Sequence, residues 1–167
     1  MSVTEISLMP AISREVGDTN TSNLYYTADQ LYSAVNDAVQ QLSLDSPNQQ
    51  YTVTGSGNTA YFTPDPSVDD QRLIVLYAAL CLTNGEIQKA SRTAYTHSNP
   101  AGRTDLSRIP EMLMKQAERI ENKIAEALSK RSRRLVEEEL DESGVELKGK
   151  PTEAAEGVGI TTVETTN

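Results

Sequence analysis

The sequence is poor in several residue types, and each shortage excludes a class of protein. Its 167 residues include no tryptophan, one phenylalanine, one cysteine and one histidine. A lone cysteine, Cys81, excludes an intrachain disulfide framework and is compatible with a reducing compartment. One cysteine and one histidine, His97, are also too few to form a zinc site.

Apolar residues are scarce as well, at 37% of the chain with 5% aromatic, against ~45–50% apolar residues in typical domains. We therefore expect part of the chain to lie outside the core. No stretch approaches the ~20 apolar residues of a membrane-spanning helix. The N-terminus "MSVTEISLMP" lacks the basic region of a signal peptide, so we expect a soluble protein that is made in the cytoplasm.

Charge is distributed unevenly along the chain, whose net charge is -9. Residues 1–70 carry one basic and nine acidic side chains, residues 71–134 carry twelve and six, and residues 135–167 carry two and nine. A basic middle between acidic ends favours self-association or an acidic partner. A free-standing DNA-binding domain is usually basic throughout.

Three helices are predicted from apolar spacing and capping residues. The first spans Thr27–Leu42, where Thr27 and Gln30 match a capping box. The second begins after Ser67 and is apolar around most of its circumference from Leu73 to Leu82, which predicts the central element of the core; Asn84-Gly85 either ends or only weakens it.

The third helix begins near Asp105 or Ser107 and extends as far as Leu140. Its apolar stripe comprises Leu106, Ile109, Leu113, Ala117, Ile120, Ile124 and Leu128. In front of the second helix, Gln50–Phe62 has β-prone runs on both sides of a Gly-Ser-Gly-Asn turn and predicts a hairpin.

The predicted fold is therefore mainly α: a small helical bundle of three principal helices, the last one long, with a short β-hairpin and extended termini. Residues 1–23 form an N-terminal leader with one short helical turn, 24–142 the helical domain and 143–167 a flexible C-terminal arm. The arm contains "GVGITTVETT", a β-prone segment that can add as a strand to a partner's sheet. Its partner-contact residues are predicted to be Val158, Ile160 and Val163.

The loop before the third helix contains residue types that occur in catalytic sites, His97, Ser98, Asp105 and Ser107. Their arrangement does not favour an enzyme. Sequence proximity is no sign of a catalytic triad, and the chain has no nucleophile elbow, phosphate-binding loop or dinucleotide fingerprint. Carboxylates near the second helix lack EF-hand spacing and are better explained as helix caps. We predict no catalytic, cofactor or metal site, and a small buried hydrophobic role for Cys81. The residues considered are Ser56, Asp65, Asp69, Asp70, His97, Ser98, Asp105 and Ser107.

Opposite charges follow one another at the end of the third helix, as "KRSRR" and then "EEELDE". They can pair along one helix or between neighbouring copies. The basic run is interpreted first as a solvated helix face, then as a protein contact, and a nucleic-acid contact is the weakest alternative. The predicted subunit or partner contacts are Arg131, Arg133, Arg134, Glu137, Glu138 and Glu139.

Together these elements resemble the head-to-tail adaptor (connector) proteins of tailed bacteriophages. The resemblance covers roughly residues 6–128. It is carried by "LMPAISREVGD", "ADQLYSAVNDAVQQL", "PDPSVDDQRLIVLYAALCL" and "GRTDLS", in this order before a long amphipathic helix.

The resemblance implies a virion protein of the phage neck that forms a homo-oligomeric ring of roughly twelve copies, closed by rotation. Such a ring binds the portal protein through terminal arms, receives tail or nozzle proteins, and lets the genomic DNA pass through its lumen without sequence-specific binding. It implies no enzyme activity, no cofactor and no membrane. A nucleic-acid-binding packaging factor, like a small terminase subunit, is the alternative, favoured by the basic middle segment.

Overall fold

The computed structural model of the chain describes residues 3–18, 25–46, 50–55, 59–96 and 108–143. Within these ranges it contains four helices and one antiparallel hairpin. This confirms the predicted helical bundle with a short hairpin and a long last helix. None of the described helices is both long enough and apolar enough to cross a membrane.

The chain divides into two compact units, Met1–Arg133 and Arg134–Asn167. The first unit includes the segment that was predicted as a separate leader. It ends at Arg133, whereas the sequence patterns placed the domain boundary after residue 142. The elements described next belong to this unit, except for the end of the last helix.

Helix α1 spans Glu5–Val16 and is longer than the single turn predicted for the leader. It buries Leu8 and Ile12 in the common core, because these residues fall on one side of the helix. The chain just before α1 pairs with the hairpin, where the Phe62 N–H donates to the Val3 carbonyl at 3.3 Å.

Strands β1, Thr52–Thr54, and β2, Tyr61–Thr63, form the antiparallel hairpin, and Val53 faces Phe62 across it. This confirms the prediction from the Gly-rich turn. A two-stranded hairpin is only marginally stable alone. Here it is held by the buried Phe62 ring and by the bridge from Thr4 to Tyr61.

Helix α2 spans Ala28–Asp45, and its start confirms the predicted capping box. The Gln30 N–H donates to the Thr27 hydroxyl at 3.3 Å, and the Thr27 N–H donates to the Gln30 side chain at 2.9 Å. These two bonds satisfy backbone donors that a helix start leaves unpaired. One side of α2 enters the core, through Leu31, Ala34, Val35, Ala38, Val39 and Leu42.

Helix α3, Val68–Thr96, is the central element of the core. The Ser67 hydroxyl accepts from the Asp70 N–H at 3.2 Å, as expected of an N-cap. Residues 73–79 are all buried, so the helix is covered on every side over this length. It continues without interruption through Gly85, so Asn84-Gly85 does not end it.

Helix α4 spans Arg108–Ser143 and has 36 residues, which corresponds to about 54 Å at ~1.5 Å per residue. Its stripe of Ala117, Ile120, Ile124 and Ala127 is buried. Ile109 was predicted on this stripe but is exposed, because the stripe enters the core only from its second turn onward.

Candidate interaction surface

A buried polar cluster joins α3, α4 and the segment before β1. Asp70 and Arg131 are 1% and 8% exposed, and the Arg131 Nε lies 3.1 Å from the Asp70 Oδ1. Among the described residues, no hydrogen bond is directed at this oxygen, so the contact is an ion pair. The Asp70 Oδ2 accepts from the hydroxyls of Tyr51, at 2.6 Å, and Ser67, at 2.7 Å. Buried charges are tolerated when they are paired in this way.

The electrostatics of this cluster indicate a fixed structural role. Burial and the hydrogen bond to Asp70 raise the pKa of Tyr51, so its hydroxyl stays protonated and remains a donor. Arg131 also donates to the Ser46 hydroxyl after the end of α2. Together these bonds connect α2, α3 and α4 within one unit.

Arg131 corrects the sequence prediction for the basic run. It was predicted, with Arg133 and Arg134, as a subunit or partner contact, and both this prediction and the alternative of a solvated helix face place its side chain at the surface. Its side chain lies inside the unit instead, because it follows Ala127 and Ile124 at four- and seven-residue steps on the buried side of α4. Arg133 falls on another side of the helix and is exposed.

In the second unit, three of the predicted contact residues, Arg134, Glu137 and Glu138, are exposed. Leu135 and Val136 beside them are exposed too. The Glu139 side chain lies outside the described part of the chain, as do Val158, Ile160 and Val163. Their predicted contacts therefore stay predictions.

Exposed cations form a row along α4 within the first unit, which we call the basic flank. They follow one another at steps of four, four, seven and three residues and therefore share one side of the helix. The row extends over about 27 Å at ~1.5 Å per residue. The basic flank comprises Lys115, Arg119, Lys123, Lys130 and Arg133.

Two members of the basic flank hold ion pairs within the unit. The Lys123 Nζ lies 2.5 Å from the Glu15 Oε2, and the Lys130 Nζ lies 2.5 Å from the Glu126 Oε1. The hydrogen bond from Lys130 lowers the pKa of the Glu126 carboxyl. Lys123 and Lys130 remain 46% and 56% exposed, so the flank still presents its positive charge to solvent.

Helix α2 presents the opposite charge on its outer side, in a row that we call the acidic row. Its members recur every four residues and all are exposed, while α2 contains no lysine or arginine. Rows at four-residue spacing are the ridges with which helices interdigitate. The acidic row extends over about 24 Å at ~1.5 Å per residue, and comprises Asp29, Ser33, Asp37, Gln41 and Asp45.

Cys81 lies beside the acidic row, and its predicted burial is wrong. The thiol is exposed, and its Sγ lies 3.5 Å from the Asp37 Oδ2. Partial desolvation, and then the Asp37 carboxylate, raise the pKa of Cys81. The apolar residues of α3 continue to Leu82, but only residues 73–79 are all buried. Beyond Ala79 the helix is partly exposed, and the Cys81 side chain faces solvent.

The residues considered for catalysis, Ser56, His97, Ser98, Asp105 and Ser107, lie outside the described residues. The three carboxylates near the start of α3 have structural roles: Asp65 accepts from the Val3 N–H at 2.9 Å, Asp69 lies in the first turn of α3, and Asp70 belongs to the buried cluster. Within the ranges that the structure describes, no group of three His, Cys, Asp or Glu side chains could hold a metal ion.

The two charged rows were not recognised in the sequence, although a signal for each was present. An aspartate at every eighth position of a helix without cations marks the acidic row. Recurrence of lysine and arginine at three-, four- and seven-residue steps marks the basic flank. The run "KRSRR" marks only the C-terminal end of this flank.

Comparison with known proteins adds no family to this description: no family model, no curated protein and no solved structure matches the chain.

Proposed function

We propose that the protein is a structural head-to-tail adaptor of a tailed bacteriophage, acting in the virion neck rather than as an enzyme. Identical copies form a ring beneath the portal, extend the DNA channel and offer a docking surface to tail components. The order of the elements carries this proposal. A helix at the N-terminus, a capped helix, a hairpin, a buried central helix and a long last helix follow one another. The capped, central and last helices have the order of the segments that carry the resemblance to adaptors.

The distribution of surface charge supports assembly from identical copies. The basic flank of α4 and the acidic row of α2 belong to the same unit and have opposite signs. Every copy therefore presents a surface that attracts its neighbour, as contacts around a ring require.

The overall charge supports passage of DNA without retention. A net charge of -9 disfavours lasting phosphate contacts, because affinity for the DNA backbone depends on neutralising its phosphates with cations. A lumen that does not bind DNA lets the genome move through it.

Size-exclusion chromatography with light scattering tests the proposal directly. The purified full chain is run alone and with rings of the portal protein encoded by the same genome. We expect a ring-sized oligomer, or co-elution with the portal at a mass that corresponds to several copies. A chain that remains monomeric and elutes separately from the portal would contradict the proposal.

A packaging factor that binds nucleic acid is the second candidate, and the basic flank is the observation that favours it. Burial of Arg131 weighs against it, because one of the four cations of "KRSRR" is engaged with Asp70. The test replaces Lys130, Arg133 and Arg134 with alanine and measures duplex DNA affinity at several salt concentrations. A packaging factor shows a steep salt dependence that these changes reduce, whereas an adaptor shows weak binding that they leave unchanged.

A further inference from the structure

We infer that the basic flank of α4 docks onto the acidic row of α2 in a second copy of this chain. The inference rests on the ring proposed above and identifies the two helix faces that form its repeating contact.

Charge complementarity indicates that the acidic row of a second copy is the partner of the basic flank. An exposed row of cations attracts an anionic surface, and α2 is the helix whose acidic side chains are accompanied by no cation. Lys115 and Arg119 are exposed, while Lys123 and Lys130 already hold intrachain pairs. The flank can therefore bind carboxylates of a partner without first breaking those pairs.

The two rows also match in length and spacing. Both extend over about 24–27 Å of helix, so a single pairing can engage each row from end to end. The acidic row is a four-residue ridge, and Lys115, Arg119 and Lys123 form a second ridge of the same spacing. Ridges of this kind interdigitate when two helices meet.

Apolar side chains at the ends of the two rows are exposed in the single chain. In the proposed contact they would be buried and add apolar area to the charge pairing. Tyr25 and Leu44, at opposite ends of α2, are 65% and 75% exposed. Met112, three residues before Lys115, is 71% exposed. Interfaces combine apolar anchors with a polar rim, and this composition fits a contact between proteins better than a contact with phosphates.

A contact between two different faces of the same chain can join many copies in a ring. The acidic row and the basic flank are different faces, so each copy uses α2 toward one neighbour and α4 toward the other. Such a heterologous contact propagates from copy to copy and closes into a ring when the rotation allows it. A contact of α4 with α4, or of α2 with α2, ends at a dimer.

Charge reversal tests the pairing in both directions. One variant combines Asp37→Lys with Gln41→Lys, and the other combines Lys115→Glu with Arg119→Glu. Self-association of each is measured by sedimentation velocity in low salt, after circular dichroism and thermal melting have shown that it is folded. We expect each variant to associate at least about tenfold more weakly than the wild-type chain.

Rescue separates a specific pairing from a general change of charge. An equal mixture of the two variants should associate again, because each reversed face then meets a complementary one, and so should a chain that carries all four substitutions. The matched control combines Glu118→Lys with Glu121→Lys on the other side of α4 and should associate at least as well as wild type. Loss of association in this control, or no rescue in the mixture, would overturn the inference.

The native cysteine provides a second, independent readout. Cys81 adjoins the acidic row, and Asn122 is exposed beside the basic flank. In an Asn122→Cys chain, a short bismaleimide should link Cys81 of one copy to residue 122 of the next and produce a ladder of multimers. The same substitution with Cys81→Ser should give dimers at most. Equal products from both chains would contradict a heterologous contact.

The outcomes distinguish this inference from the proposed function. If rings form on the portal but neither reversal weakens them, the adaptor proposal stands and the α2–α4 contact is wrong. If the wild-type chain neither self-associates nor binds the portal, both are wrong. If duplex DNA binds the wild-type chain and the Lys115→Glu, Arg119→Glu variant loses only that binding, the flank is a nucleic-acid surface and the inference is overturned.

Discussion

Arg131 attaches α4 to the core through a buried ion pair. Besides its apolar stripe, α4 makes the exposed ion pair from Lys123 to Glu15 and a hydrogen bond from the Gln116 side chain to the Glu15 carbonyl at 3.4 Å. Arg131 instead reaches Asp70 and Ser46 inside the unit. Removing two ions from water is unfavourable, and their attraction offsets this only when the remaining donors and acceptors are satisfied. Tyr51 and Ser67 supply two of those bonds to Asp70.

Replacing Arg131 with methionine should therefore destabilise the first unit strongly. The methionine keeps most of the apolar stem but leaves the Asp70 carboxylate buried without its cation, which should lower the free energy of unfolding by about 3 kcal/mol. Denaturant titration followed by circular dichroism measures the loss. Arg133→Met, two residues further on an exposed side, is the matched control and should change stability by less than ~0.5 kcal/mol. A loss for Arg131→Met no larger than that of the control would contradict the assigned role of the pair.

Glu5 is the second buried carboxyl group, and its protonation should link stability to pH. Its side chain is 2% exposed and its Oε1 has no hydrogen-bond partner among the described residues. Desolvation raises the pKa of Glu5, so the folded state holds this proton more tightly than the unfolded chain does. The resulting stabilisation is complete below the unfolded pKa and is lost as the pH rises through the folded pKa.

Glu5→Gln removes this ionisation while keeping the shape of the side chain. The variant should gain stability relative to wild type as the pH rises from about 4 to about 8, because only wild type must then bury a carboxylate. Unfolding free energies of both proteins across this range isolate the contribution of Glu5 from those of other groups. A difference between them that stays constant or shrinks with rising pH would show that Glu5 is not responsible.

At the scale of elements, the helix starts were predictable because capping is a local interaction. Thr27 lies three residues from Gln30, and Ser67 three residues from Asp70, so both caps could be recognised in a short window of sequence. The end of α3 was less clear, since Asn84-Gly85 has the composition of a helix stop. The helix continues there because its packed first half already fixes its direction and propagation is cooperative.

Gly85→Ala should stabilise the protein. A Cβ at this position would meet no atom within 4 Å, and alanine in a helix interior is more stable than glycine by about 0.5–1 kcal/mol. Thermal and denaturant unfolding measure the gain. Gly17→Ala provides the control with the same chemical change, because Gly17 ends α1 at a φ of 81° and alanine is strained there. That variant should be less stable than wild type, and a destabilised Gly85→Ala would contradict the description of α3.

What the sequence did not reveal are the contacts between distant residues. Arg131 lies in a charged run, which predicts exposure, but it is buried. Cys81 lies in an apolar run, which predicts burial, but it is exposed. Their burial is decided by which side of the helix faces the rest of the unit, and for Arg131 by Asp70, which lies 61 positions earlier. The length of α1 was also missed, because Pro10 lies inside the helix and proline normally indicates a helix boundary.

At the scale of the whole molecule, the core and the predicted partner-binding arm occupy different parts of the sequence. Among the described residues, the core cluster lies between Leu8 and Ala127, with Val3 and Leu128 packed against it. The β-prone segment with Val158, Ile160 and Val163 comes later in the sequence. Deletion of Gly157–Asn167 should therefore leave the thermal transition unchanged and weaken co-elution with the portal. Differential scanning calorimetry and light scattering measure the two effects. Loss of the thermal transition would show that this segment is part of the folded domain and is not an arm. Unchanged portal binding would show that another segment docks onto the portal.

In the proposed function, copies of this chain form a ring that continues the portal channel. Cryo-electron microscopy of the full chain mixed with portal rings tests it most directly. We expect additional density in the form of a closed ring, coaxial with the portal, in which the α2 of each copy faces the α4 of its neighbour. Portal particles without this ring, or with single copies bound at the periphery, would contradict it.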